Sequence, residues 1–128
     1  MLDRDVVKKV LSTYRDAWQR HDSDLILSIF TSDAVYQERA FDAPHIGHSA
    51  IKLYWDTKVV SSQANIAFKL LNVYVDGNVA IAEWEAAFDD LVQNVRKKIR
   101  EVAILEFKGE LISSLREYWQ GIEVKKYE

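Results

Sequence analysis

Cysteine is absent from the chain, which excludes disulfides, thiolate nucleophiles, iron–sulfur clusters and sulfur-ligated zinc. Proline occurs once and glycine four times, and no repeat, linker or low-complexity segment is visible. An excess of one charge sign is also missing. Seventeen Lys and Arg against 20 Asp and Glu leave −3, too little for an electrostatic nucleic-acid footprint. No apolar run approaches the roughly 20 residues that a membrane span needs. The opening MLDRDVVKK alternates charge where a secretory signal would set a basic head before an apolar stretch. Neither nucleic acid nor membrane is expected as a partner, and the chain reads as cytoplasmic. Nitrogen metal ligands are limited to His21, His45 and His48. Pro44 and Gly47 argue against a helical face shared by the last two, so no metal site is expected.

What is present suffices for one core. The 128 residues, 14.9 kDa, are expected to form a single domain, 1–128, because chains divide only beyond roughly 250 residues. Apolar types make up 48% and charged types 29%, the balance of an ordinary globular protein. Val7, Val10, Leu11, Tyr14, Ala17 and Trp18 recur at helical spacing and predict an amphipathic helix over 5–20, with Asp3 or Asp5 as its cap. Asp22 or Ser23 starts a second, shorter helix through LILSIF. A short strand is expected at 34–38, then a loop around Pro44 and Gly47, then a third helix with Ile51, Tyr54, Trp55 and Val59 on one side. From about residue 64 the period falls to two, predicting long strands at 65–75, 79–91, 95–107 and 111–124. Turns at Asp76-Gly77, Gln93-Asn94 and Lys108-Gly109 join them. Helices first and an antiparallel meander after them predict an α+β fold, with the helices gathered on one face of a curved sheet.

The strand faces differ in chemistry. Around residue 84, Ala80, Ala82, Trp84, Ala86 and Phe88 form one face, while Val79, Ile81, Glu83, Glu85 and Ala87 form the other. Burying a lone carboxylate costs several kcal/mol, so two of them among apolar neighbours must be paired, protonated or wet. Glu101 shares a face with Ile99, Ala103, Leu105 and Phe107, and Arg116 shares one with Ile112, Ser114 and Tyr118. These groups read either as a cross-strand ion-pair network that fixes register or as the polar floor of a ligand cavity. Arg96, Lys97, Lys98 and Arg100 read as edge protection or a solvated face.

Taken as an ordered set, YRDAWQRHD with Tyr14, DLILSIFTSDAVYQE, PHIGHSAIKLYW and the terminal EFKGELISSLREYW resemble the nuclear transport factor 2-like superfamily. The likeness is to its SnoaL-like and ketosteroid isomerase-like small domains and covers nearly the whole chain. It implies a cystatin-like α+β barrel: a cone-shaped antiparallel sheet wrapped by three helices around a cavity, usually as a homodimer. On the ketosteroid isomerase pattern, which runs without a gap from Tyr14 to Trp55, Tyr14 falls at the oxyanion-stabilising tyrosine. Glu38 falls at the proton-shuttling carboxylate, an Asp in that enzyme. The neutral acid that donates the second oxyanion hydrogen bond falls at Ala103 and is missing, and Phe30 and Trp55 replace supporting tyrosines. Losing such a donor costs on the order of 100-fold in rate, which disfavours steroid isomerisation. The resemblance also implies that Glu83, Glu85, Glu101 and Arg116 face the cavity. As a set, Glu83, Glu101 and Arg116 do not match the Asp-Arg-Asp arrangement of the superfamily's epoxide hydrolases.

The expectation is therefore a small, largely apolar ligand in the cone cavity, processed without a cofactor by acid–base chemistry of isomerase, cyclase or lyase type. Glu38 and Tyr14 are the expected catalytic residues. Trp18, Tyr36, Trp55, Glu83, Glu85, Glu101, Arg116 and Tyr118 are the expected ligand-binding residues. The alternative is a non-catalytic ligand-binding or dimerisation module. Under either reading Trp84 and Phe88, with Ala80, Ala82 and Ala86, would form the convex sheet face through which two subunits pair.

Overall fold

Local chemistry sets the first two helices. In the computed structural model, which describes all 128 residues, the Asp3 side chain accepts the Val6 N–H at 2.9 Å and starts α1 (Arg4–Gln19). Asp22 does the same for α2 (Ser23–Leu27) through the Leu25 N–H, also at 2.9 Å. Each cap satisfies an amide that has no partner within its helix. The predicted stripe from Val7 to Trp18 is the buried face of α1.

Strand β1 (Phe30–Gln37) begins four residues earlier than the sequence pattern suggests. Its early start is tertiary in origin, since Phe30 pairs with Ile112 across the sheet. After the two-residue β2 (His45–Ile46), Gly47 at φ +85° admits α3 (His48–Trp55). A π-helical turn, Asp56–Val60, continues α3 and carries Val59 into the core. The long strands β3 (Gln63–Asp76), β4 (Val79–Asp90), β5 (Val95–Lys108) and β6 (Leu111–Lys126) follow. The strand order is β2-β1-β6-β5-β4-β3, antiparallel throughout except for the parallel β1–β6 pair. This is the expected α+β architecture, three helices and a largely antiparallel six-stranded sheet whose first two strands precede α3. No helix is long and apolar enough to cross a membrane.

The two faces of β4 are the reverse of the expectation. Ala80, Ala82, Trp84, Ala86 and Phe88 are buried in the common core, so they do not form an outer pairing face. Trp84 decides the orientation: its ring packs 5.2 Å from that of Tyr14 and 5.5 Å from that of Phe68, filling the space beneath α1. The alanines beside it let the helix approach. Glu83 and Glu85 therefore point outward. Asn72 donates to Glu83 at 2.9 Å, while Arg100 and Lys98 pair with Glu85. Arg116 also lies outside, 2.7 Å from Glu106. These groups make up the cross-strand network, not a cavity floor.

Arg116 and Tyr118 are turned outward by a bulge. Ile112 pairs with Phe107 and Ser114 with Glu106, which leaves Ser113 as an extra residue in β6. An extra residue inverts the alternation beyond it. The inward positions therefore pass from Ile112 to Leu115 and Glu117, and Arg116 and Tyr118 face out. Strand β5 is interior and not an edge, and its cations Arg96, Lys97 and Arg100 pair with Asp89, Asp90 and Glu85 of β4.

Candidate active site

Helices α1 and α3 and the inner side of the sheet enclose a cavity of about 650 Å³. Its aromatic wall comes from Tyr14 and Trp18 of α1, Tyr36 of β1, and Tyr54 and Trp55 of α3. Glu101 of β5 and Glu117 of β6 form the polar floor, with only 3% and 6% of their surface exposed. The Tyr36 hydroxyl donates to Glu117 Oε1 at 2.9 Å and the Tyr14 hydroxyl to the same oxygen at 3.3 Å. The two hydroxyls lie 3.5 Å apart. Glu101 Oε2 is buried without a hydrogen-bond partner.

These surroundings favour neutral acids. Burial pushes the Glu117 carboxyl up to about 8; the hydrogen bond from Tyr36 opposes the rise, the charge of Glu38 adds to it, and bonds from Tyr14 and Glu101 oppose it further. Glu101 is raised well above the usual carboxylate range, first by burial, then by the negative charges of Glu117 and Glu38 and by its hydrogen bond to Glu117. At neutral pH the pair therefore holds protons more than charge. Burial, followed by the nearby Glu117, also raises Tyr14, Tyr36 and Tyr54, so all three remain neutral hydroxyls.

Glu38 lies on the cavity wall just beyond the end of β1. Its Oε2 is 3.1 Å from Nε of Arg39, whose guanidinium lies over the Trp119 ring at 5.3 Å. Trp18 Nε1 donates to Gln63 Oε1 at 2.7 Å, fixing one side of the wall, and the His45 ring stacks against Tyr54 with centroids 4.6 Å apart. No three His, Asp or Glu side chains are spaced to share a metal ion.

Of the residues expected at the site, Tyr14, Trp18, Tyr36, Glu38, Trp55 and Glu101 converge on the cavity. Glu83, Glu85, Arg116 and Tyr118 do not, and the set Glu83, Glu101 and Arg116 is split across the sheet. Glu117, Tyr54 and Trp119 line the cavity without having been identified from the sequence. Glu117 and Trp119 stand one residue away from Arg116 and Tyr118, and the Ser113 bulge hides that shift. Ala103 is buried and supplies no acid, yet carboxyl groups are not missing beside Tyr14. Glu117 supplies one by hydrogen bond, and Glu101 lies near enough for its charge to act on the Tyr14 hydroxyl. Chemically, the floor presents carboxylic acid donors to a ligand oxygen, and the wall presents a third carboxyl group, Glu38, as a proton acceptor.

The model of the SnoaL-like domain matches residues 11–115. No curated protein matches the chain in sequence. Among solved structures, the epoxide hydrolase/cyclase-like enzyme SalBIII, described in pyran ring formation in the polyether salinomycin, is 21% identical with a TM-score of 0.79. The match covers 94% of this chain and 95% of that one. An LEH-like epoxide hydrolase from M. tuberculosis is 18% identical over 88% of this chain and 80% of its own, with a TM-score of 0.70. A protein with a ketosteroid isomerase-like fold from Catenulispora acidiphila, solved in complex with trimethylamine, is 17% identical over 85% and 83%, with a TM-score of 0.76. At these identities the structures share a fold, and function does not follow from fold. The family match covers most of the chain and the solved structures share its architecture: the protein belongs to the SnoaL-like domain family, with a nuclear transport factor 2-like fold.

Proposed function

We propose that the protein binds a small, largely apolar molecule in the cavity and moves a proton on it by cofactor-independent acid–base chemistry, of isomerase, cyclase or lyase type. One observation carries the reading. Glu38 on the wall faces the same space as a buried acid pair, Glu101 and Glu117, and as the hydroxyls of Tyr14 and Tyr36. In this reading a substrate oxygen sits at the floor and receives a hydrogen bond from a carboxylic acid of the protonated pair, which Tyr14 and Tyr36 hold in place by donating to Glu117. Charge developing on that oxygen is stabilised by donors already in place. Glu38 removes a proton from the adjacent carbon and returns it elsewhere, while the aromatic wall excludes water. That the SalBIII and LEH-like relatives are described as cyclase- and hydrolase-like enzymes supports chemistry of this class.

The test is a thermal-shift screen of the wild type and Glu38→Gln against apolar carbonyl, phenolic and isoprenoid compounds, following each stabilising compound for conversion. A ligand at 100 times its Kd adds about 2.7 kcal/mol to stability. Conversion by the wild type that is lost in Glu38→Gln, with stabilisation retained, is the expected result. Stabilisation without any conversion would make the protein a binding module.

The outer sheet face supports self-association. Tyr74, Ile81, Val102 and Tyr118 are exposed there, with Tyr74 opposite Ile81 and Val102 opposite Tyr118. Exposed apolar pairs of this kind, set among the charged cross-strand groups of the same face, support an interaction surface, and the occupant expected is a second copy. Sedimentation should give a dimer that Val102→Glu dissociates; a wild-type monomer at micromolar concentration would remove the inference.

A further inference from the structure

The charges around the cavity are distributed unevenly. Glu38, from the bend after β1, and Glu101 and Glu117, from β5 and β6, reach it from three sides, and the two deepest, Glu101 and Glu117, have no Lys, Arg or His partner. The cations that line the cavity lie toward its mouth. Arg39 is largely exposed and engaged with Glu38, Lys97 is held 2.9 Å from Asp90, and Lys58 is exposed. Asp42 adds a further negative charge at the mouth. The floor is thus an acidic site with no counter-charge, and one of its oxygens, Glu101 Oε2, is buried and accepts nothing. The rings of Tyr14, Tyr36, Tyr54 and Trp55 line the same cavity. Their faces carry the negative lobes of the ring quadrupoles, to which an ammonium or alkylammonium group is attracted. The carboxylates are not spaced to share a metal ion, and a metal would also pay a far larger dehydration cost than an alkylated nitrogen.

We propose that the ligand of this cavity carries a positive charge: a small organic cation, an amine or quaternary ammonium with apolar substituents, seated between the Glu101–Glu117 pair and the surrounding aromatic rings. The proposal rests on the cavity being the ligand site, and in it the pair serves the bound molecule as an ionised counter-charge in place of a hydrogen-bond donor. The cation supplies the charge that the floor lacks, and Glu101 Oε2 gains a partner. Without ligand the acids remain neutral by holding protons, so seating a cation releases a proton from the pair. The titratable groups that face the pair are Tyr14 from α1, Tyr36 from β1, Glu38 from the bend after it, and Tyr54 from α3, with His45 of β2 stacked behind Tyr54. Burial holds the three tyrosines above the working range, and Glu38 is already paired with Arg39. The response to pH therefore comes from the pair.

Choline and its uncharged carbon isostere, 3,3-dimethylbutan-1-ol, provide the test, because choline's charge is permanent and only the protein titrates. Binding can be followed by tryptophan fluorescence and by the indole N–H resonances, since Trp18, Trp55 and Trp119 line the cavity. With Glu117 titrating at about 8, its ionised fraction rises about 10-fold between pH 7 and 9, and the apparent affinity for choline should rise by the same factor. The alcohol should bind more weakly than choline at pH 9 and show no such rise. Glu117→Gln should flatten the choline response. An alcohol that binds as tightly as choline at both pH values overturns the proposal and leaves the reading of an apolar-ligand site standing. Failure of both probes, and of the neutral panel described above, overturns both. A choline response that persists in Glu117→Gln and in Glu101→Gln overturns the assignment to the pair.

Discussion

Replacing Glu117 with Gln preserves the shape of the side chain and an oxygen to accept the Tyr36 and Tyr14 hydroxyls, while removing its ionisation. In an unfolded chain a glutamate titrates near 4.3; in the folded protein burial pushes Glu117 up to about 8. Because the folded value lies above the unfolded one, the native state keeps a proton that the unfolded state releases. The stability tied to this proton is complete below about pH 4 and is lost as pH rises through about 8. One proton per pH unit corresponds to about 1.4 kcal/mol. The wild type should therefore lose roughly 3 kcal/mol relative to Glu117→Gln between pH 5 and 7.5, equivalent to a Tm difference of order 10 °C in a domain of this size. Asp56, Glu85, Asp89 and Asp90 are lowered by their hydrogen bonds and titrate below this window. They are common to both proteins and cancel in the difference. Equilibrium urea denaturation of both proteins from pH 5 to 9 provides the measurement. Parallel stability curves would refute the reasoning, because they would mean that Glu117 ionises in the folded protein as easily as in water.

Other substitutions separate the two sides of the sheet. Glu83→Gln and Glu85→Gln should leave the affinity of any cavity ligand unchanged, since both groups face outward; a change measured by calorimetry would place them at the site after all. Trp84→Ala should cost about 3–5 kcal/mol in denaturant titrations, the range for truncating a large buried aromatic residue. Asp22→Ala should cost about 1 kcal/mol by removing the cap of α2.

Local signals in the sequence were sufficient for the helices and for the existence of the strands. Asp3 and Asp22 act on amides three residues away, and the stripe from Val7 to Trp18 has a single way to be buried. Alternation along β4 separates Trp84 from Glu83 and Glu85 without saying which set faces the helices. Both sets contain apolar residues, and only the fit of Trp84 against Tyr14 and Phe68 decides. On β6 the parity is lost at Ser113. Nothing local marks that residue as a bulge, because the bulge is defined by its pairing with Glu106 and Phe107. Arg116 was consequently assigned to the cavity and Glu117 overlooked. Tyr14, Trp18, Tyr36 and Glu38 precede the bulge, so the family resemblance, which assigns Tyr14 and Glu38 their roles, carries onto them without a change of parity.

At the centre of this account is a pair of buried carboxyls that stay protonated at the floor of the cavity. Carbon-13 NMR of the glutamate side-chain carboxyls, titrated from pH 3 to 10, observes them directly. Glu117 is expected to titrate near 8, and Glu101 to remain protonated well above the range of the exposed glutamates. If both complete their titration near 4.3, the value of a glutamate in water, the floor is charged at neutral pH and the proposed donor role of the pair is wrong.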